Sequence, residues 1–141
     1  MNSPRRPLLV STSRADVRAI SAVADALAAR GVRPTVVVSE VAAAAWPEVS
    51  AAHELFEVPT GLRTAVDATE LIRAGHALAE GVSEHARRSS SEIAVVMGDR
   101  HELLAVARAL VIASVPIAHL DGGCVTSGSI DDSIRHAITK L

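Results

Sequence analysis

Aromatic residues are nearly missing from this 141-residue chain, which has one Trp, one Phe and no Tyr. That argues against base-stacking platforms and against an aromatic-lined sugar-binding cleft, both of which need several flat π-faces. Cysteine occurs once, at Cys124, so no intramolecular disulfide is possible and a secreted disulfide framework does not fit. A strong charge of one sign is lacking too. The formal net charge of −2 leaves no electrostatic footprint for nucleic acid. No apolar run is long enough to span a bilayer. The opening MNSPRRPLLVSTS breaks its short apolar run with polar residues and does not read as a signal peptide. These absences point to a cytoplasmic protein with neither nucleic acid nor membrane as partner.

Two site signatures are absent as well. Neither the glycine fingerprint of dinucleotide folds nor the phosphate-loop pattern occurs. The six histidines are scattered with no HxxxH or HExxH spacing, so a metal site is not expected, and no cofactor is implied.

What is present is a globular composition, 49% hydrophobic and 21% charged, of a length that suits one domain. Apolar runs alternate with helical patterns. PLLVST (7–12) precedes helical spacing over 14–30 through Val17, Ile20, Val23, Ala24 and Leu27, with Gly31 as the stop. PTVVVS (34–39) is β-branched, and a short helix Glu40–Ala45 follows, halted near Pro47. HELFEV (53–58) is the weakest strand candidate. A long amphipathic helix runs from Val66 to Arg88, with Leu71, Ile72, Gly75, Leu78, Ala79 and Val82 on one face. IAVVMG (93–98), a helix over 102–114, VPIAHL (115–120) and a helix from Asp131 complete the pattern, the last with Ile134, Ile138 and Leu141 as its apolar stripe. Apolar strands separated by helices predict an α/β fold: a doubly wound, five-stranded parallel sheet of Rossmann-like or flavodoxin-like order. Neither a repeat nor an internal domain boundary is visible.

In such sheets ligands sit outside the carboxyl ends of the strands, so the residues just after each run carry the interest. STSRAD (11–16) opens the first helix, where free N–H groups and Arg14 would suit an anion, although Thr12 or Ser13 serving as a simple cap explains it better. In MGDRHE (97–102), Asp99 can be a general base or the N-cap of a capping box completed by Glu102. HLDGG (119–123) puts Asp121 at the exit of a buried strand beside two glycines, which permit close backbone approach or positive φ. A tight turn with a solvated Asp is the ordinary alternative. Asp131 and Asp132 suit the positive end of the last helix. Asp99 and Asp121 leave neighbouring strand tips on one edge.

GDRHELLAVARALVIASVPIAHLDGG followed by GSIDDSIRHAITKL resembles the hydrolysing UDP-N-acetylglucosamine 2-epimerases of sialic and nonulosonic acid biosynthesis, and TSRAD resembles that family's opening motif. The likeness is dense over 95–141, thin at 8–20 and not visible between. It implies a two-domain enzyme of the glycosyltransferase-B type, with this chain as the N-terminal Rossmann-like half. The C-terminal domain would then be missing and supplied in cis or in trans, and a homo-oligomer is possible. The implied reaction eliminates UDP from UDP-N-acetylglucosamine, or a related UDP-sugar, to leave a glycal. Water then adds to give N-acetylmannosamine. The resemblance implies catalytic roles for Asp99, Asp121 and Asp131, and substrate contacts for Arg14, Arg100, His119, Gly122, Gly123, Asp132 and Arg135. Four positions depart from the family pattern: Asp121 is often Glu, Cys124 often an acid, Ser11 usually Gly and Val17 frequently Tyr. These departures suggest an alternative, a non-catalytic sugar-nucleotide-binding or dimerisation module left from a truncated epimerase.

Overall fold

The computed structural model describes residues 6–46 and 52–141. The elements run β1 (Pro7–Ser11), α1 (Arg14–Ala28), β2 (Thr35–Ser39), α2 (Glu40–Ala43), β3 (Leu55–Val58), α3 (Ala68–Ser89), β4 (Ile93–Met97), α4 (His101–Ile112), β5 (Ile117–Leu120) and α5 (Ile130–Thr139). All four strand pairings are parallel, in the order β3-β2-β1-β4-β5. This is the Rossmann-like order, and it resolves the choice that the periodicity left open.

Alternation along the strands splits the core in two. Leu8 and Val10 of β1 and Val37 of β2 face a cluster with Leu78 and Val82 of α3, Leu103, Val106 and Leu110 of α4, and Ile138 of α5. Leu9, Val36 and Val38 point the other way, onto Val17, Ile20 and Ala24 of α1, Ala42 of α2 and Trp46. Helices therefore cover both faces, which is why β1 and β2 are apolar almost throughout. Among the described residues no helix is long and apolar enough to cross a membrane.

Several local expectations shift. α1 stops at Ala28, with Gly31 three residues on at φ +74°. α2 ends at Ala43, short of Ala45, and the stop expected at Pro47 lies outside the described residues. Ile72 is exposed on α3 because Ala74, Gly75, Leu78, Ala79 and Val82 form the inward stripe. Leu141 is exposed beyond the end of α5, leaving Ile138 as that helix's buried anchor. β5 is half-buried where a buried strand was expected, because it is the sheet's outer strand.

Strand order also sets where a ligand can enter. From β1 the chain winds outward to β2 and β3, then returns to the other side of β1 for β4 and β5. The reversal opens a crevice between the carboxyl ends of β1 and β4. Register places Met97 opposite Leu120, so Gly98 and Asp121 leave the sheet side by side.

Candidate active site

A cleft of about 460 Å³ occupies that crevice. Ser13 and Asp16 from the start of α1, Gly98 to His101 from the β4–α4 turn, Asp121 and Cys124 after β5, and Asp131 and Arg135 of α5 line it. The three aspartates implied as catalytic thus meet in one open space, each brought by a different element.

Each arrives for a local reason. Gly98 takes φ +95°, a conformation open to glycine, and turns the chain so that Asp99 follows directly at the rim. Asp99 does not cap α4. The N-cap is Arg100, without a side-chain cap bond, and Glu102 turns away from a capping box to accept from Arg100 Nε at 2.7 Å. The cap alternative for this motif is therefore overturned.

The positive φ that Gly122 and Gly123 were expected to permit falls on Asp121 itself, at φ 59°. Aspartate tolerates that region better than most residues. Gly122 is required for another reason. A Cβ there would meet Thr139 Oγ1 at 2.6 Å and His119 Nδ1 at 2.8 Å. Gly123 has open space around it, and neither glycine lines the cleft. Asp131 sits in the first turn of α5, which Ser129 caps through the Asp131 N–H at 3.2 Å. Asp121 and Asp131 make no hydrogen bond or ion pair through their carboxylates among the described residues, and both are exposed.

Arg135 is the brace. Its side chain is only 8% exposed and ion-pairs with Asp99 through Nη2. Nη1 donates to Asp132 Oδ1 at 3.0 Å and to the Cys124 carbonyl at 3.0 Å. Asp132 also accepts from the Thr126 N–H at 2.8 Å. Arg135 and Asp132 thereby tie the loop after β5 to α5 and to the tip of β4. Asp132 does not line the cleft. His119 is likewise withdrawn. Its Nε2 donates to the Gly98 carbonyl at 2.7 Å, and its Nδ1 lies 2.9 Å from Thr139 Oγ1.

Arg14 is not with the aspartates. It lines a neighbouring cavity of about 690 Å³, with Arg63, Leu62 and Val41. Arg100 stands in the wall between the two cavities and lines both. Burial works against its charge, but the Glu102 hydrogen bond and the Glu102, Asp16 and Asp131 carboxylates raise its pKa above the usual guanidinium value.

Sequence reasoning passed over Asp16. The cap at STSRAD is Ser13, as expected, and Asp16 accepts from the Thr12 N–H and the Ser13 N–H, each at 2.9 Å. Burial raises its pKa above 3.8, partly offset by these bonds. The signal was available: an Asp three residues after a Ser cap satisfies the cap's backbone. Its burial beside the cleft was not. No group of three or more His, Cys, Asp or Glu among the described residues could hold a metal ion.

Comparison with known proteins puts this geometry in context. A diacetylbacillosamine 2-epimerase (hydrolysing, GDP/UDP) of Campylobacter jejuni is 48% identical over 50 residues, covering 36% of this chain and 13% of that protein. The UDP-N,N'-diacetylbacillosamine 2-epimerase (hydrolysing) of Legionella pneumophila is 36% identical over 84 residues, 60% of this chain and 22% of its relative. Among solved structures, a UDP-N-acetylglucosamine 2-epimerase superposes with a TM-score of 0.80 at 12% identity, over 99% of this chain and 40% of that one. The Neisseria meningitidis UDP-GlcNAc 2-epimerase bound to UDP-GlcNAc gives 0.74 at 13% identity, over 96% and 38%. At those identities the structural likeness is one of fold, and in each case the match spans well under half of the relative. The family model for UDP-N-acetylglucosamine 2-epimerase matches residues 50–141, which take in β3 through α5 and more than half of the chain. The chain belongs to the UDP-N-acetylglucosamine 2-epimerase family.

Proposed function

We propose that this chain forms the acid–base wall of a hydrolysing UDP-N-acetylglucosamine 2-epimerase. It would be the N-terminal half of a glycosyltransferase-B type enzyme whose second half, in cis or in trans, closes the cleft. The observation that carries the reading is the convergence of Asp99, Asp121 and Asp131, from three elements, on one open cleft beside Arg100.

The reaction needs what this wall offers. A base takes the proton from C2 while the C1–O bond to UDP breaks and the pair of electrons leaves with the diphosphate. The resulting glycal then gains water at C1 and a proton at C2 from the opposite face, giving the epimerised free sugar. Carboxylates on two sides of one sugar ring can serve as the proton acceptor and donor. Arg100 and, from the adjoining cavity, Arg14 supply cations for the departing diphosphate. Arg135 holds Asp99 in place. UDP-N-acetylglucosamine, or a diacetamido relative of it, is the substrate class, as the names of the relatives suggest.

The test is product formation. The chain combined with a family C-terminal half should release UDP and N-acetylmannosamine from UDP-N-acetylglucosamine. No product from any complemented mixture would refute the reading. A second reading, a sugar-nucleotide-binding or dimerisation module without turnover, draws on two observations: Asp99 is engaged by Arg135, and the exposed Cys124 lines the cleft where the family often has an acid. It predicts calorimetric binding of UDP-N-acetylglucosamine with no hydrolysis under any complementation.

A further inference from the structure

We infer that Glu102 is a positioning residue for the anion-binding edge of the cleft: its buried carboxylate grips Arg100 by Nε and leaves the outer guanidinium nitrogens free for a diphosphate. The inference rests on the functional reading above, which puts the diphosphate of a UDP-sugar against Arg100.

Glu102 is out of place as a packing residue. It is 0% exposed, in the first turn of α4, directly before the core residue Leu103. Oε1 accepts from Arg100 Nε at 2.7 Å. Oε2 is buried without a hydrogen bond, although His101 Nδ1 lies 3.3 Å away. A buried carboxylate with one hydrogen bond is costly, and the positive end of α4 offsets only part of that cost. An apolar side chain would fill the same space without it. The cap role expected of this glutamate is not the reason either, since α4 has no side-chain cap bond.

What the carboxylate does achieve lies on its outer side. Arg100, whose side chain is 53% exposed, and His101 both line the cleft, and both have nitrogens beside Glu102. Arginine carries five N–H donors in a rigid fork. Committing the Nε edge inward leaves the two terminal nitrogens presented as a pair, the geometry that suits bidentate recognition of a phosphate. Anchoring the side chain beforehand also removes rotamer freedom that a bound anion would otherwise have to freeze. GDRHE then reads as one device, with Gly98 to turn the chain, Asp99 for proton transfer, Arg100 for the anion and Glu102 to hold Arg100.

The experiment is titration of inorganic diphosphate into the full chain by calorimetry, for wild type, Arg100→Ala, Glu102→Gln, Glu102→Asp and the Arg100→Ala/Glu102→Gln double variant. Thermal midpoints and the Arg100 Nε–Hε resonance are recorded alongside. Arg100→Ala should weaken binding by about tenfold or more, and Glu102→Gln by roughly five- to tenfold with an unchanged or higher midpoint. Glu102→Asp should recover part of the loss, and the double variant should bind no worse than Arg100→Ala alone. The Nε–Hε signal, protected in wild type, should exchange faster in Glu102→Gln. If Glu102→Gln binds within about twofold of wild type while Arg100→Ala does not, the positioning role is overturned and the functional reading stands. If Arg100→Ala itself binds as wild type does, the diphosphate subsite falls, and the positioning role with it.

Discussion

The carboxyl edge of the sheet carries acidic residues at both ends and treats them in opposite ways. Beyond β2, Glu40 is saturated by the neighbouring loop. Its Oε2 accepts the Thr60 N–H at 3.0 Å and the Thr60 hydroxyl at 2.6 Å, and Oε1 accepts the Arg63 N–H at 3.3 Å. Beyond β4 and β5, the carboxylates of Asp121 and Asp131 have no hydrogen-bond or ion-pair partner among the described residues, and Asp99 is held by one arginine from α5. Register explains the contrast. Ser39 pairs with Val58, so Thr60 emerges beside Glu40, and the loop folds its donors back onto the acid. On the other side the Thr126 N–H goes to Asp132 and the Cys124 N–H to the Asp121 carbonyl, and neither reaches the Asp121 or Asp131 carboxylate. An acid at a strand tip is engaged where the next loop supplies N–H groups, and faces the cleft where it does not.

Substitution at the open end should break function and spare the fold. Asp131→Asn is expected to lower turnover of the complemented enzyme by about 10²- to 10⁴-fold, the usual worth of a general acid or base. Its unfolding free energy should stay within about 0.5 kcal/mol of wild type, since the residue is exposed. Steady-state assay and urea denaturation measure the two. Wild-type turnover would remove Asp131 from the chemistry.

Arg135→Met tests what separates the two ends, because it strips the brace from Asp99 and Asp132 together. Removing one partner of a buried pair typically costs about 3–5 kcal/mol. A urea midpoint close to wild type would mean that the brace is dispensable.

Glu40→Gln should do the reverse of Asp131→Asn, costing about 1 kcal/mol at neutral pH and leaving turnover alone. The pH dependence sharpens it. Burial tends to raise the pKa of Glu40, but the Thr60 and Arg63 hydrogen bonds win and hold it below 4.5. Its contribution is therefore present above pH 4.5 and is lost as pH falls through the lower folded value. Denaturation at a series of pH values should show that acid limb in wild type and not in Glu40→Gln.

The smallest effect is expected at Asp16, which lies between the two regimes, buried yet hydrogen-bonded. Its raised pKa makes the sign opposite: the folded chain holds the proton more tightly. Its contribution is full below pH 3.8 and is lost as pH rises through the folded value. Asp16→Asn should flatten that slope in the same pH series. A slope of the Glu40 kind would mean that the hydrogen bonds from Thr12 and Ser13 outweigh burial.

The chain's pattern of letters determined a good deal. β-Branched runs such as TVVVS and the spacing of Leu78, Val82 and Ala86 dictate strands buried on both faces and a helix that covers them, because period and propensity are local properties. The acids of GDRHE and SIDDSIRHAITKL were legible as a family signature. Only the tertiary structure decided which acid is free and which is bound. Arg135 meets Asp99 across 36 positions of sequence, Arg14 falls in the next cavity, and Glu102 leaves its cap for Arg100. Those outcomes depend on where α5 lies over the tip of β4 and on how α4 leaves its strand. Both are set by the packing of Ile138 and Leu103 into a shared core, which no local window of sequence contains.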